Sequence, residues 1–342
     1  MAILITGSSG FIGGNFIRHW HKQYPSDTIV ALDRYPTSLA STLFTGGQML
    51  QIQHDLTGTL PDLVRLLADY NCDTIVHFAA ERSVDRSWEE NGGKIFLANN
   101  FLGTANLLEA AGQAQVRRVH VVNTDEVFGS LSLGSKDRFD ELSPYNPHSP
   151  YSFSKAAQGR LTRGYAERNG PLVTMSYHSN NYGPFQQPDS LISHSIARLL
   201  NSQPVPLYEG FEDNVREYTH VFDTCRALEI LLNNRNILPG DEFCVGAGES
   251  YSNRQVAEQL LIIVSEATER VLLPERDIVT APPGRPKDDE RYGMDSSKMR
   301  DLGWTPEYTF PRGLEETVAW YRSHEGRLFL HGEGPAAGLE RR

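Results

Sequence analysis

Cysteine is scarce in this chain. Three residues in 342 (Cys72, Cys225 and Cys244), none in CxxC spacing, exclude a disulfide framework and a thiolate zinc site and point to a reducing compartment. Long apolar runs are missing. The longest lies around Leu260 to Val264, far short of the roughly 20 residues that cross a bilayer. Positive charge is in deficit: the net charge of −11 argues against nucleic acid or an anionic membrane as the main partner. Lysine is rare beside arginine, 6 against 26, and arginines supply the planar forks that suit a small anionic ligand. No basic segment precedes the apolar start Met1–Thr6, so a secretory signal is not expected and the protein is expected to be cytoplasmic.

What is present reads as a globular α/β chain. The length suggests about two folding units. Short β-branched runs at Ile3–Thr6, Ile29–Leu32, Leu50–Gln53, Thr74–Phe78, Arg118–Asn123 and Leu172–His178 alternate with helical patterns at Phe11–Tyr24, Leu60–Tyr70, Lys94–Ala114 and Ser152–Asn169. That alternation predicts βαβ units and a parallel sheet with helices on both faces. Beyond Gly183 the elements shorten and Pro, Gly and Asn become frequent, with helices predicted near Val221–Asn233 and Asn253–Ala267. The expected organisation is a first unit over 1–182, a smaller α/β unit over 183–330 from which the chain re-enters the first sheet, and a disordered tail over 331–342.

Gly7-Ser8-Ser9-Gly10-Phe11-Ile12-Gly13 follows the first strand and opens a helix. Glycines there permit a tight turn and close backbone approach, leaving the helix N-terminus to face a pyrophosphate. Asp33, at the end of the next strand, is placed to take both ribose hydroxyls of NAD and repel a 2′-phosphate. Arg34 beside it softens that repulsion. Asp55, after the third strand, is placed for adenine or for a plain turn. Tyr151 and Lys155 share one helix face at i,i+4, where an ammonium is expected to lower the phenol pKa and make a base. Thr124-Asp125-Glu126 ends the strand Arg118–Asn123, at the sheet edge where ligands bind. Two close carboxylates in a dry cleft resist double ionisation, so one serves as acid and the other as base. His120, His178 and His220 stand alone, with no HxxxH or Cys/His cluster, so no catalytic metal is expected.

With His77-Phe78-Ala79-Ala80-Glu81, Val84-Asp85-Arg86-Ser87, Ser179-Asn180-Asn181-Tyr182-Gly183-Pro184 and Asn214-Val215-Arg216, these residues make the chain resemble an extended short-chain dehydrogenase/reductase, most closely the dTDP-glucose 4,6-dehydratases. The resemblance spans Ile3 to Tyr321. It implies a Rossmann-type doubly wound parallel sheet with a smaller C-terminal α/β substrate-binding region. It also implies NAD held by Gly7, Gly10, Phe11, Ile12, Gly13, Asp33, Arg34, Asp55, Leu56, Ala79, Ala80, Asn99, Tyr151, Lys155 and Asn181. By the same resemblance Tyr151, with Thr124 and Lys155, removes the sugar 4-hydroxyl proton as hydride leaves C4. Glu126 then takes the C5 proton, Asp125 protonates the departing C6 hydroxyl, and hydride returns to C6. Arg82, Thr124, Asn180, Leu191, Pro206, Tyr208, Arg216 and Arg291 are implied to hold the sugar nucleotide.

The departures from the family pattern gather on the substrate side. Arg82-Ser83 stands where Ser-His is usual, Tyr177-His178 where Arg-Cys is, Ser190 where Lys is, Phe128 where Tyr is, Asn123 where Ser is, and the stretch Pro283–Tyr292 is altered. An altered sugar-nucleotide pocket is therefore expected, with Arg82 meeting an added anionic or amide group. A nucleotide-sugar 4-epimerase, a dehydratase for another nucleotide or hexose, and a non-catalytic dinucleotide sensor remain as alternatives. The resemblance also implies a homodimer through two helices per subunit, one of them bearing Tyr151 and Lys155.

Overall fold

The computed structural model describes residues 1–36 and 49–330; the tail expected at 331–342 lies outside them. The described residues form twelve strands, in chain order β1 Ala2–Thr6, β2 Thr28–Asp33, β3 Met49–Gln53, β4 Thr74–His77, β5 Arg118–Thr124, β6 Leu172–His178, β7 Asn180–Tyr182, β8 Val205–Tyr208, β9 Val215–His220, β10 Glu242–Val245, β11 Ser250–Ser252 and β12 Ile278–Ala281. The first sheet is fully parallel, with order β10-β6-β5-β4-β1-β2-β3. Strand order reverses between β1 and β4, so a crevice opens there beyond the strand ends.

Its central strands β1 and β2 are apolar on both sides because helices cover both faces. Ile3, Ile5, Ile29 and Ala31 pack with Phe16, Trp20, Val221, Cys225 and Leu228. The alternate residues Leu4, Val30 and Leu32 pack with Leu63, Leu67, Leu107 and Leu108 on the other face, as a two-residue repeat requires. The helix predicted over Lys94–Ala114 is interrupted by a wide π turn at Leu97–Leu102. Within that turn the Asn100 side chain is tied to both backbone groups of Glu81, at 2.7 and 2.9 Å. Wide turns of this kind are frequent at functional sites.

The second region builds a separate core from Ile192, Ile196, Val256, Leu260, Leu314 and Val318, beside the small sheets β11-β9-β7 and β12-β8. Between the segments that build this core the chain re-enters the first sheet. β10 runs parallel to β6, with Glu242 opposite Met175 and Val245 opposite His178.

Candidate active site

Five strand ends converge on one crevice. β1 delivers Gly7, β2 Asp33, β4 the run Phe78–Glu81, β5 Thr124, and β6 His178 and Ser179, all lining a cavity of about 410 Å³. A second cavity of about 450 Å³, under the C-terminal region, opens from it. The two share Arg82, Glu126, Asn180, Asn181, Gln186 and Ser190.

The first chamber is shaped by backbone. Gly7 has φ +67°, and the Gly10 N–H donates to its carbonyl at 3.0 Å. A Cβ on Gly7 would stand 2.7 Å from the Ala79 nitrogen, and one on Gly13 would stand 2.3 Å from the Gly7 oxygen. Neither position accepts a side chain. The helix Phe11–Gln23 begins without a side-chain cap, so its first amides are left for an anion. Asp33 accepts the Ser9 and Tyr35 amides at 3.0 and 2.9 Å; burial pushes its pKa up and those amides pull it back. Leu56, Ala79, Ala80, Asn99 and Asn181 also line this chamber. Asn181 is held by the Thr224 hydroxyl and the Ser179 carbonyl. The glycine cradle, the uncapped amides and a carboxylate at the second strand end fit NAD. Arg34 is occupied by Asp55 at 3.1 Å and by Asn99, which leaves it poorly placed to welcome a 2′-phosphate.

Asp55 does not line the cavity. Its carboxylate takes the Thr57 amide at 2.9 Å and hydroxyl at 2.8 Å together with Arg34, so the turn-forming reading describes its contacts. His54 and Leu56 face the space instead.

The reactive end is fixed by a capping box. Ser149 Oγ accepts the Ser152 amide at 3.0 Å, Ser152 Oγ accepts the Ser149 amide at 2.9 Å, and Pro150 opens the helix Pro150–Ala166. That start point fixes Tyr151 and Lys155 on the face toward β5. Both are buried, at 8% and 4% exposure, yet line the chamber. Burial pushes the Tyr151 phenol well above 10; Glu126 adds to this and a hydrogen bond with Thr124 opposes it. Burial also lowers Lys155 to about 7. Its ammonium donates to the Val122 carbonyl at 3.0 Å and to the Gln158 amide oxygen. The expected depression of the phenol by Lys155 is therefore not met in the protein alone: removal from water disfavours both charged forms.

Thr124, Asp125 and Glu126 form the turn after β5. The Glu126 amide donates to Thr124 Oγ1 at 3.3 Å, as does the Thr124 hydroxyl to Asp125 Oδ1. Glu126 faces both chambers, and burial raises it to about 7 against the pull of Arg216 and Arg285. Asp125 is 2% exposed and is not part of the cavity wall. Burial first, then the Glu126 carboxylate, raise it well above the usual range, and its Oδ2 has no hydrogen-bond partner. The two carboxylates, read from the sequence as facing the same site, point apart: Glu126 lines both chambers and Asp125 lies behind the wall.

Asn180, Leu191, Pro206, Tyr208 and Arg216 all line the second chamber, with Arg82 at the junction. Arg82 forms a fork with Asp189 at 3.2 and 2.6 Å. Arg291 corrects the sequence reading. Its backbone pairs with Leu131 and Val215, and its side chain turns away to the Asp137 carbonyl at 2.9 Å. Arg285 enters the chamber instead, as do Asp85 and Asp288. Sequence reading also missed Gln186 at the junction, whose Oε1 is buried and unpaired, as is Asn180 Oδ1. The histidines are packed rather than clustered: His120 sits between Thr174 and Ser176 at 2.8 Å each, and His220 stacks on Tyr308. Among the described residues no group of three or more His, Cys, Asp and Glu is arranged to hold a metal.

Comparison with known proteins gives the chain's family. The family model described as GDP-mannose 4,6 dehydratase matches residues 4–317. A dTDP-glucose 4,6-dehydratase of Mycolicibacterium smegmatis is 36% identical over 331 residues, covering 95% of this chain and 94% of that one. A low-salt glycan biosynthesis protein of Haloferax volcanii is also 36% identical, over 94% of this chain and 98% of its own. Among solved structures, the Streptomyces venezuelae dTDP-glucose 4,6-dehydratase with NAD bound superposes with a TM-score of 0.85 at 34% identity, covering 96% and 98% of the two chains. The Thermus thermophilus UDP-glucose 4-epimerase complex with NAD gives 0.81 at 28% identity, covering 95% and 100%.

Proposed function

The chain belongs to the GDP-mannose 4,6 dehydratase family, within the extended short-chain dehydrogenases/reductases, and from that premise we propose how its own residues divide the reaction. The protein is an NAD-dependent nucleotide-sugar 4,6-dehydratase of the dTDP-glucose 4,6-dehydratase type. The observation that carries the assignment of roles is that Thr124, Glu126, Tyr151 and Lys155 meet on one chamber wall, with Glu126 shared by the chamber beside it.

Gly7, Gly13 and Asp33 would hold NAD in the first chamber, where it would supply a hydride acceptor for the sugar C4 and a hydride donor for C6, a proton going back to C5 as C6 is reduced. Tyr151 receives the 4-hydroxyl proton, with the Thr124 hydroxyl holding the phenol in place and Lys155 supplying positive charge nearby. Oxidation at C4 acidifies the C5 hydrogen, because the carbanion delocalises as an enolate. Glu126, poised near neutrality, takes that proton. Asp125, held protonated beside it, donates to the departing C6 hydroxyl. Its single 3.3 Å contact to Thr124 and its unpaired Oδ2 leave the carboxyl able to turn toward the chamber. Elimination needs one proton acceptor and one donor on adjoining carbons, and this turn supplies both.

The second chamber takes the nucleotide diphosphate, with Arg216 as the fork for phosphate oxygens and Asn180, Leu191, Pro206 and Tyr208 around the nucleoside. dTDP-glucose is the substrate we assign, on the strength of the relatives at 35 to 36% identity. A homodimer fits the exposed apolar residues Ile95, Leu97, Leu102 and Phe153 along the helices beside the site. A cytoplasmic setting fits three free, buried cysteines and the lack, among the described residues, of any helix long and apolar enough to cross a membrane. The test is to offer dTDP-, UDP-, CDP- and GDP-glucose to purified protein and weigh the products. A dTDP product lighter by one water is expected; a product of unchanged mass, inverted at C4, would replace the dehydratase with an epimerase.

A further inference from the structure

The diphosphate region of the second chamber already contains an anion from the protein itself. Asp288 lies at its wall, only 7% exposed on its side chain. Its Oδ2 accepts from Arg216 Nη2 at 2.8 Å and from Asn214 Nδ2 at 2.9 Å. Its Oδ1 pairs with Arg285 Nη2 at 2.9 Å. Two oxygens thus collect three donors from three side chains, two of them guanidinium groups, which is how a protein holds a phosphate.

The remaining charges around these arginines are also paired. Arg216 Nη1 donates to the Val215 carbonyl at 2.9 Å, and its guanidinium lies over the Tyr292 ring at 4.5 Å. Arg285 Nη1 donates to Asp85 at 2.9 Å, while its Nε is buried without a partner. The four side chains Arg216, Arg285, Asp85 and Asp288 sum to zero charge. A clamp for an incoming polyanion gains most from uncompensated cations, and this one is compensated from within. The carboxylate sits on a short stretch at the chamber wall, to which Arg285 and Asp288 contribute; a Cβ on Gly284 would stand 3.1 Å from the Tyr208 hydroxyl, and the residue after the carboxylate, Asp289, anchors the stretch on His148 and Tyr292 at 2.6 Å each.

Resting on the reading of Arg216 as a diphosphate contact, we propose that Asp288 is an internal counter-ion which competes with the substrate's phosphates for Arg216 and Arg285 and so limits affinity for nucleotides. Substrate entry exchanges the carboxylate for phosphate oxygens, and Asp288 swings away with the 284–288 stretch. A free nucleoside diphosphate carries more negative charge than a sugar nucleotide, so the carboxylate opposes it more strongly. Asp288 therefore acts as a selectivity residue that weakens retention of nucleotides lacking the sugar.

The test is calorimetric titration of NAD-loaded enzyme with dTDP and, in a Tyr151→Phe background that turns it over too slowly to interfere, with dTDP-glucose, for the parent protein, Asp288→Asn, Asp288→Ser and Arg216→Ala. Both substitutions at 288 are expected to tighten dTDP about tenfold, which corresponds to about 1.4 kcal/mol, and to tighten dTDP-glucose less. NAD affinity, measured on the same samples, reports whether each variant is folded. If Arg216→Ala leaves dTDP binding unchanged, the diphosphate reading itself falls and takes the proposal with it. If Arg216→Ala weakens dTDP while both folded variants at 288 bind it no better than wild type, Asp288 only positions the arginines and the proposal alone is overturned.

Discussion

Glu126→Gln should make the enzyme slower and the fold more stable, and the two effects have one cause. In the unfolded chain the carboxyl has its ordinary pKa of 4.5, whereas burial raises it to about 7 in the fold. Below pH 4.5 both states are protonated and the residue contributes no difference. As pH rises toward 7 the unfolded chain ionises while the fold resists, so stability is lost across this window and the loss levels off above it. At about 1.4 kcal/mol per pH unit the ceiling is about 3 kcal/mol. It is a ceiling because the group faces a cavity that water enters, with Arg216 nearby. Glutamine cannot ionise and escapes this loss. In a chain of this size a few kcal/mol moves the melting temperature by about 4 °C, so at pH 8 the ligand-free variant should melt higher than wild type by up to that amount, with the gap closing toward pH 4.5. Its dehydration rate should fall about 10²- to 10⁴-fold through loss of the base. Differential scanning calorimetry from pH 4.5 to 8 with product mass spectrometry reads both. A variant that melts lower at pH 8, or a gap that does not change with pH, would refute the reasoning.

Tyr151→Phe should leave NAD binding intact while lowering turnover at least about 10³-fold, because the group that receives the C4 hydroxyl proton is gone; cofactor titration and single-turnover mass analysis check the two halves. Gly13→Ala places a methyl 2.3 Å from the Gly7 oxygen, so the turn must open, and a loss of NAD affinity of about tenfold or more is expected by the same titration.

Much of this was legible in the chain itself. The inner strands β1, β2 and β4 are short apolar runs rich in β-branched residues, because a sheet buried on both faces admits little else. Gly7, Gly13 and Asp33 were legible because their spacing is dictated by backbone geometry close in sequence. The aims of side chains set by distant pairing were not. Arg291 and Arg285 look equally suitable in sequence, and only the bridges of Arg291 to Leu131 and Val215 turn one outward and leave the other in the chamber. The π turn at Leu97–Leu102 accompanies the tie between Asn100 and Glu81, a contact across 19 positions that no periodicity records. The state of Lys155 was hidden for a similar reason: the carbonyl of Val122 and the amide of Gln158 hold it, and i,i+4 spacing to Tyr151 says nothing about either.

The last strand of the large sheet comes from far down the chain, since β10 joins β6 only after the whole of β7 to β9 has been laid down. During synthesis the ribosome therefore releases a nearly complete nucleotide-binding half whose β6 border still presents open peptide groups. Such a border invites pairing with a neighbouring nascent chain. Truncation of the gene anywhere between residues 183 and 241 should accordingly yield aggregates rather than a working half-enzyme.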